Sequence, residues 1–473
     1  MRKIIRSFDL VVIGAGPGGY AAAIRGAQKG LKTAVIEARE VGGTCLNRGC
    51  IPTKSMLHSA GLYREALAGG MFGLTCAALG FDFDVINARK TEVVENLRAG
   101  VERLLKANRV AIIRGRAAVK SRNVIAVQLG ESDEDIGAKY IIIATGSKPA
   151  LLPGGMMDHE NVFTSDEALS KDARLYKRIV IIGGGVIGCE FANIYNDLGC
   201  EVTIVDLQEA LLPKLDYEIS RNLTGIFKKR GINIITSAKI QGIQESSGAL
   251  AVRINHRDEI MEVHCDGVLV CIGREPVTEG LFAEGADVET ERGYVKIDKH
   301  MQTNIPSIYA IGDCTAGSVQ LAHAASAQGL NAVSHIVGEE PAANLDAIPG
   351  CVYTSPEIGC VGITEAEAKE LGIEVNTGKY IMGGNGKSIV TNEDRGFIKL
   401  VFDAKNDVLL GAHLMCARAT DIVSEMACAI ANRLTAQQLA TVVRPHPTYV
   451  EGFSEAVENL HGLAIHMQPK MKL

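Results

Sequence analysis

The sequence predicts an α/β fold with two Rossmann-like dinucleotide-binding domains and a C-terminal α+β domain. The main observation is a β-branched apolar run that leads into a Gly-x-Gly-x-x-Gly turn and a helical stretch. This arrangement occurs twice, at residues 8–19 and 179–188. The second observation is the change of pattern from Pro349 onward, where strand-like and helical segments follow without a glycine fingerprint. This last part is therefore expected to have a different role.

The first fingerprint contains Gly14, Gly16 and Gly19, and the next apolar run, residues 32–36, ends at Glu37. In such a unit one glycine makes the tight turn, the next lets a pyrophosphate approach the backbone, and the third lets the helix pack closely on the strand. An acid about 20 residues further on accepts the ribose hydroxyls. These residues therefore predict one complete dinucleotide site.

The second fingerprint repeats this order. Gly183, Gly185 and Gly188 precede a helical stretch, and an apolar run over residues 201–205 ends at Asp206. A single glycine-rich turn would be weak evidence, because such a turn can also be an ordinary surface loop. Two complete units in one chain predict an enzyme that holds two dinucleotides.

A pair of cysteines, Cys45 and Cys50, lies one short connection after the first unit, within residues 42–54. A bridge between them would close only a small loop and contribute modestly to stability, and short strained bridges are easily reduced. The flanking glycines would let another group approach the sulfurs closely. Two unrelated buried cysteines are the alternative, but the position beside a nucleotide unit favours a redox pair.

Length and composition restrict the class of protein. The 473 residues suffice for about three domains, and a content of 47% hydrophobic and 22% charged residues is typical of a globular enzyme. The net charge of −6, without a cluster of basic residues, argues against nucleic-acid binding. No apolar stretch is long enough to span a bilayer, and the first strand begins too early for a signal peptide, so we expect a cytoplasmic location. Apart from the redox pair, the 12 cysteines show no zinc-ligand spacing, so we expect no metal.

The segments between and after the two units predict the remaining organisation, with Pro149 and Pro153 marking a linker. The predicted domains are a first dinucleotide domain over residues 1–152, a second over 153–276, a return segment of the first over 277–348, and the C-terminal domain over 349–473. The other predicted elements are a helix at 86–107, strands at 110–119 and 124–127, strand-to-turn segments at 140–147, 267–274 and 307–313, C-terminal strands at 380–390, 396–402 and 411–414, and helices at 421–432 and 435–442. The strand within 307–313 is expected to return to the first sheet.

These motifs, in this order, resemble those of the flavin disulfide reductase family, and within it the branch that acts on dihydrolipoamide. The resemblance extends over essentially the whole chain, and its most specific segments are residues 42–54, 183–190, 308–313 and 444–456. It implies that protein-bound dihydrolipoamide is oxidised to lipoamide while NAD+ is reduced to NADH, through FAD and a redox disulfide between Cys45 and Cys50. It also implies a homodimer formed by the C-terminal domain. The partner would be a lipoylated acyltransferase subunit or lipoyl carrier protein of a 2-oxoacid dehydrogenase, acetoin dehydrogenase or glycine cleavage system.

The resemblance further assigns residues to the two cofactors. FAD would be held by Gly14, Gly16, Gly19, Glu37, Lys54, Ala117, Thr145, Gly146, Asp313 and Ala322. NAD would be held by Gly183, Gly185, Gly188, Asp206, Ile240 and Gly273. Lys54 would lie beside the flavin and pair with Glu190 across the nicotinamide site. Without the resemblance, Lys54 could be a surface lysine and Glu190 a first-turn acid favoured by the helix dipole.

His446 and Glu451 form the acid–base pair that the resemblance implies. A carboxylate bonded to one ring nitrogen fixes the tautomer and stabilises the imidazolium, so the other nitrogen can take a thiol proton. A structural or surface histidine is the alternative. In the family this pair acts on Cys45 of the partner subunit, so the site would need a dimer. Tyr449 and Val450 depart from the Leu-Ser common in the family, and we expect the change to affect packing more than mechanism.

Three other interpretations compete with this assignment. A mercuric reductase would end in a vicinal cysteine pair, which residues 465–473 lack. A glutathione-type reductase would prefer NADP and carry arginines after the second strand, whereas residues 206–210 contain none. A non-catalytic scaffold subunit would be expected to have lost Cys45, Cys50 or His446, and all three are present.

Overall fold

The structure is a computed structural model that describes residues 4–75, 77–130, 132–246 and 249–468. Its helices, in chain order, are α1 (Pro17–Gln28), α2 (Gly43–Arg48), α3 (Cys50–Leu67), α4 (Phe83–Ala107), α5 (Ser165–Ala168), α6 (Val186–Asp197), α7 (Tyr217–Lys229), α8 (Ala322–Ile336), α9 (Glu365–Glu370), α10 (Gly386–Thr391), α11 (Ala419–Ala431), α12 (Ala436–Ala440) and α13 (Glu451–Asn459). Its strands are β1 (Ile4–Ile13), β2 (Thr33–Glu37), β3 (Ala111–Arg114), β4 (Arg116–Ser121), β5 (Val124–Leu129), β6 (Ser132–Ile143), β7 (Ser147–Pro149), β8 (Val162–Thr164), β9 (Arg178–Ile182), β10 (Glu201–Val205), β11 (Asn233–Ile235), β12 (Ala238–Ser246), β13 (Ala249–His256), β14 (Glu259–Cys265), β15 (Gly267–Val270), β16 (Arg274–Pro276), β17 (Thr290–Glu291), β18 (Tyr294–Val295), β19 (Ile308–Ala310), β20 (Gly350–Val352), β21 (Ile358–Gly362), β22 (Val375–Ile381), β23 (Phe397–Asp403) and β24 (Leu409–Met415). Short 3-10 turns cover Gly69–Phe72, Gly312–Cys314 and Met382–Gly384.

The chain folds into two compact units. The first comprises the described residues up to Ser59, Gly70–Arg174 and Ile272–Leu345, and the second comprises Ala60–Gly69, Leu175–Cys271 and the described residues from Asp346 onward. The three-domain division at residues 152, 276 and 348 stays a prediction.

A mixed sheet with strand order β3-β2-β1-β6-β5-β4 organises the first unit. Strand β19 pairs with β6 in parallel, which confirms that the strand within residues 307–313 returns to the first sheet. The last four residues of β1, 10–13, are buried on both faces of the sheet, because Val11 packs into one hydrophobic cluster and Val12 into the other. Burial on both faces explains why the sequence before the first fingerprint is continuously apolar.

The second unit contains a parallel sheet and two antiparallel ones. Strands β11-β10-β9-β15 run parallel around the second fingerprint, and β12-β13-β14 form an antiparallel sheet. The antiparallel sheet β20-β21-β24-β23-β22 packs against α11 and α13 around a core that includes Phe402, Leu414 and Phe453. The α/β and α+β parts thus follow the predicted order.

The strand predicted at residues 380–390 is wrong over most of its length. Strand β22 ends at Ile381, and α10 takes up the later part. The helix starts because the Asn385 side chain accepts a hydrogen bond from the Ser388 N–H group at 2.9 Å. Such an N-cap outweighs the β-branched residues that suggested a strand.

Other predicted element boundaries also differ from those in the structure, and the causes are again local. The strand predicted at residues 110–119 is two strands, β3 and β4, separated by Gly115. The linker marked by Pro149 contains β7, which pairs antiparallel with β16. The predicted helix at 86–107 is confirmed as α4, which begins at Phe83 because Asp82 caps it.

Two features are absent from the part of the chain that the structure describes. None of its helices is both long and apolar enough to cross a membrane. The same described ranges contain no group of three or more histidine, cysteine or acidic side chains that could hold a metal ion.

Candidate active site

Both glycine fingerprints form tight turns that require glycine. Gly14 and Gly183 have φ angles of +102° and +108°, in a region that other residues rarely adopt. A Cβ atom on Gly19 would lie 1.9 Å from the carbonyl oxygen of Gly14, and the same distance separates a Cβ on Gly188 from the carbonyl oxygen of Gly183. Helices α1 and α6 therefore start close against the strands that precede them.

The N-terminus of each of these helices can receive an anion. The N-cap residues are Gly16 and Gly185, and within the described chain no side chain caps either helix. The space around Gly185 is open, because a Cβ there would have no described atom within 4 Å. Uncapped N–H groups together with the helix dipole favour a pyrophosphate, so both fingerprints fit a dinucleotide.

Glu37 and Asp206, the acids that follow the second strand of each unit, brace the two turns. Glu37 accepts hydrogen bonds from the N–H groups of Ala15, at 2.7 Å, and of the second residue after itself, at 2.8 Å. Asp206 accepts them from Gly184 and from the second residue after itself, the latter at 2.6 Å. An ionised carboxylate offers about four acceptor sites, so each acid keeps sites for ribose hydroxyls. The bracing was not predicted from the sequence.

The redox segment lies directly on the first fingerprint. Gly42 and Gly43 have φ angles of +100° and +59°, and the Gly42 N–H group donates to the carbonyl oxygen of Ala15 at 2.8 Å. A Cβ on Gly43 would lie 2.5 Å from the Cα atom of Gly16. The glycines before the cysteines therefore allow two backbone segments to touch, which places the sulfurs beside the first dinucleotide site.

We expect Gly43→Ala to lower the free energy of unfolding by about 2 to 5 kcal/mol, because left-handed strain and overlap with Gly16 add. Gly30→Ala is the matched control. Gly30 has a φ of +84° but no described atom within 4 Å of a Cβ, so it should cost only about 1 to 2 kcal/mol. Denaturant unfolding of the two variants measures the difference, and equal losses would contradict the close backbone contact.

The two cysteines lie at the junction of two helices. Cys45 is within α2 and Cys50 is the first residue of α3. The Cys45 thiol hydrogen-bonds to the Cys50 sulfur. This hydrogen bond, then burial and the negative charge of Cys50, raise the pKa of the Cys45 thiol, whereas the charge of Lys54 acts in the opposite direction. In the reduced pair, these effects favour the protonated form of Cys45.

A half-buried arginine that sequence reasoning did not assign lies near this pair. Arg274 donates to the Ser147 hydroxyl at 2.7 Å and to the Ser147 carbonyl at 2.8 Å, and the Ser147 hydroxyl donates to Asp313 at 2.6 Å. Burial lowers the pKa of Arg274, while the charges of Asp313 and Cys50 act against that effect. The only sequence signal was position, since Ser147 follows the Thr145–Gly146 turn and Arg274 follows Gly273.

Two residues assigned to the cofactors occupy equivalent positions in the two units. In the first, the Gly115 N–H group donates to the carbonyl of the acid that ends β2, at 3.0 Å, two residues before Ala117. In the second, the Ala238 N–H group donates to the carbonyl of the acid after β10, at 2.9 Å, two residues before Ile240. Each chain segment therefore passes close to the acid of its own fingerprint.

The remaining assigned residues lie at strand ends and helix starts. Asp313 is in the 3-10 turn after β19, and Ala322 is the first residue of α8. Gly146 and Gly273 have φ angles of +70° and +125°. Gly273 belongs to the first unit and Gly183 to the second, so their joint contact with one nucleotide stays a prediction.

His446 and Glu451 meet as predicted. The ring Nδ1 of His446 lies 2.8 Å from Glu451 Oε1, and a carboxylate can only accept, so Nδ1 donates and Nε2 is left to take a proton. Although partial burial favours the neutral acid, hydrogen bonds from the Thr448 N–H group and His446 lower the pKa of Glu451. The His446 side chain is 76% exposed, so it is accessible to a thiol from another molecule.

Three further contacts hold the turn that carries His446. Asn385 donates to the Thr448 carbonyl at 3.0 Å. The Tyr449 hydroxyl lies 2.8 Å from the Thr391 hydroxyl and also donates to Glu393. Tyr449 therefore ties the turn to the segment after α10, in keeping with the expected effect on packing.

Glu190 is buried on α6, with 3% of its surface exposed. Its carboxylate accepts a hydrogen bond from the Tyr353 N–H group at 2.9 Å, and Asn193, one turn later, accepts one from Ser355 at 3.1 Å. These contacts hold α6 against the segment before β21. Glu190 and Lys54 belong to different units, so their predicted pairing stays a prediction.

Sequence families provide the identification. The sequence family described as pyridine nucleotide-disulphide oxidoreductase matches residues 8–329 of this chain. The family described as the dimerisation domain of these enzymes matches residues 348–457. The chain belongs to this family. As a member of the pyridine nucleotide-disulphide oxidoreductases, it has a C-terminal part of the kind that forms dimers in this family.

Curated relatives of this oxidoreductase chain match it over almost its whole length. A dihydrolipoyl dehydrogenase of Bacillus subtilis strain 168 is 39% identical over 471 residues, which cover 97% of this chain and 99% of the relative. A dihydrolipoyl dehydrogenase of Thermus scotoductus is 40% identical over 466 residues, which cover 98% and 99%.

Solved structures align with this chain over nearly its whole length. The crystal structure of LpdA from Mycobacterium tuberculosis aligns with a TM-score of 0.89 at 26% identity, over 96% of this chain and 100% of that chain. The Cu(II) complex of the HOCl-induced flavoprotein disulfide reductase RclA from Escherichia coli aligns with a TM-score of 0.86 at 27% identity, over 96% and 99%. The similarity therefore extends through both units.

Proposed function

We propose that this oxidoreductase is an NAD-dependent dihydrolipoyl dehydrogenase (EC 1.8.1.4) that uses FAD. The observation that carries the proposal is the Cys45–Cys50 pair seated on the first fingerprint, in a chain whose 37–40% identical relatives are dihydrolipoyl dehydrogenases. A mercuric or glutathione-type reductase is the alternative. The absence of arginines from residues 206–210, directly after the second strand of the second unit, argues against a glutathione-type reductase.

Thiol oxidation begins from the Cys45–Cys50 disulfide. His446 takes a proton from one thiol of dihydrolipoamide, and the resulting thiolate attacks the Cys45 sulfur, so the disulfide breaks and Cys50 leaves as a thiolate. The second substrate thiol attacks the substrate sulfur of the mixed disulfide, which closes the lipoyl ring and releases Cys45, and its proton passes to the leaving Cys45 sulfur. The substrate has then lost two electrons and two protons, and the protein holds a dithiol.

The protein stabilises that dithiol through charge. Arg274 places a positive charge towards Cys50, and Lys54, one helical turn after Cys50, acts on the same pair. The raised pKa of Cys45 favours a negative charge on Cys50 over one on Cys45. Bound FAD would supply the two-electron chemistry that connects the dithiol with NAD+.

The chain would act as a homodimer. The matched dimerisation domain and the exposure of His446 support a site in which His446 and Glu451 act on Cys45 of the partner subunit. The second partner would be a lipoylated acyltransferase subunit or lipoyl carrier protein of a 2-oxoacid dehydrogenase, acetoin dehydrogenase or glycine cleavage system. A cytoplasmic location stays a prediction.

A comparison of kcat/KM values for different substrates, measured with the purified holoenzyme, tests the proposed function. Dihydrolipoamide should reduce NAD+ with a kcat/KM far above that for reduction of glutathione disulfide or Hg2+ by NADH or NADPH. A higher kcat/KM with either of those two substrates would contradict the proposal. Pull-down of the native complex then identifies the lipoylated partner.

Coenzyme choice depends on Asp206. We expect kcat/KM with NAD+ to exceed that with NADP+ by at least about 100-fold, because a 2′-phosphate would meet like charge. Asp206→Asn should lower the ratio of kcat/KM with NAD+ to kcat/KM with NADP+. Glu201→Gln, at the exposed other end of β10, is the control and should leave the ratio unchanged. Comparable efficiency of the unmodified enzyme with NADP+ would contradict the assignment.

A further inference from the structure

A second histidine–carboxylate pair lies one helical turn beyond the first. His466 Nδ1 is 2.8 Å from Glu455 Oε1, and the His466 N–H group donates to Glu455 Oε2 at 3.0 Å. Glu451 and Glu455 are four residues apart on α13, so they lie on the same face of the helix. In both pairs, one carboxylate oxygen binds a ring nitrogen and the other accepts from a backbone N–H group.

The two pairs are close enough to act on each other. The charge of His466 lowers the pKa of Glu451, after the larger effects of burial, Thr448 and His446. The hydrogen bond to Glu455, and then its charge, raise the pKa of His466, and the charge of Glu451 adds to this. These contacts favour the imidazolium form of His466.

Few other titratable groups of the described residues act on His466 and Glu451. Glu455 and Glu451 are the charged groups of α13 that act on His466. From strand β22, the phenol of Tyr380 faces both carboxylates, but burial and these charges raise its pKa, so it stays neutral. His466 itself is 71% exposed, so its side chain contributes charge rather than packing.

We propose that the His466–Glu455 pair is an electrostatic partner of the His446–Glu451 pair and sets the pH range in which His446 accepts a thiol proton. This inference rests on the proposed function. His466 is a positioning residue that acts through Glu451, which orients His446. With His466 protonated, the second pair has no net charge. Without His466, the charge of Glu455 alone would make His446 hold its proton more tightly.

Charge-changing variants of the holoenzyme test this balance. At low pH, kcat/KM for dihydrolipoamide falls as the catalytic base of the free enzyme becomes protonated. His466→Gln should therefore move this acid limb of the pH profile to higher pH. The expected shift is about half a pH unit, the size expected for an exposed charge pair. Activity on the limb should fall about threefold, while the value at high pH stays unchanged. His466→Lys keeps the charge and should keep the original profile.

A double variant separates charge from structure. His466→Gln combined with Glu455→Gln restores a neutral second pair, so the acid limb should return to its original position. A structural role would predict that the double variant is at least as impaired as the single one. His461→Gln is the matched control, because His461 also pairs with a carboxylate, Asp407, at 3.2 Å.

Two results would overturn the inference. One is a His466→Gln profile identical to that of His461→Gln, and the other is a shift that persists in the double variant. His446→Gln tests the proposed function separately. If that variant oxidises dihydrolipoamide at the original rate, the assignment of the base fails. If it is impaired but His466→Gln has no effect on the profile, only the present inference fails.

Discussion

Cys45→Ser and Cys50→Ser are each expected to reduce dihydrolipoamide oxidation by on the order of a thousandfold or more, because either change removes an atom of the disulfide that accepts the electrons. Reduction of an artificial electron acceptor by NADH needs no disulfide and should survive in both. Steady-state assays of the two reactions on one FAD-loaded preparation measure the contrast. Cys428→Ser, at an exposed cysteine outside the site, is the control and should keep both activities.

Absorption spectra separate the two sulfurs. If Cys50 is the thiolate of the reduced pair, as the raised pKa of Cys45 favours, Cys45→Ser should show the long-wavelength absorbance of a thiolate beside oxidised flavin. Cys50→Ser should lack it. The opposite pattern would show that the two cysteines exchange these roles.

His446→Gln is expected to slow thiol oxidation by a factor of about 100 to 10,000, the usual contribution of a general base. FAD content should not change, because the residues proposed to hold FAD lie in other segments. Reduction of an artificial acceptor by NADH should also be unchanged, since that reaction moves no thiol proton. Rapid-mixing measurement of the reductive half-reaction isolates the affected step.

Glu451→Gln should show a smaller loss. The change removes the negative charge that orients the imidazole and stabilises its protonated form, while the base itself remains. A loss equal to that of His446→Gln would show that the ring cannot act without the carboxylate.

Mixed dimers test whether the site is shared. If His446 acts on Cys45 of the partner subunit, then exchange between inactive His446→Gln and inactive Cys45→Ser protomers should restore activity, because each heterodimer has one intact site. Tagged protomers show whether heterodimers have formed. No recovery in a sample that contains them would exclude the shared site.

Local structure was predictable from the sequence wherever neighbouring residues determine the conformation of the backbone. The glycines of both fingerprints were predicted as tight turns, and the structure shows the backbone overlaps that exclude a side chain at Gly19 and Gly188. The pairing of His446 with Glu451 was predicted from the family resemblance, and the two side chains meet because they are close in the chain. The error at residues 380–390 arose because a single cap at Asn385 decides between strand and helix.

Contacts between distant segments were not predictable. Arg274 reaches Ser147 across 127 positions of sequence, and no pattern near either residue signals the pairing. The contact of Tyr353 with Glu190 spans 163 positions. Each depends on how strands and helices pack, and not on the residues nearby.

By itself, the sequence predicted the two dinucleotide units and a redox pair of cysteines, because each is encoded within a short segment by residue type and spacing, and its resemblance to a known family added the acid–base pair. The tertiary structure decided where these parts meet. It alone places Gly43 on Gly16, turns Arg274 towards Cys50, and puts His466 against Glu455, one helical turn after Glu451. The physical reason is that charge and steric contact act through space over a few ångströms, whereas sequence patterns record only neighbours along the chain.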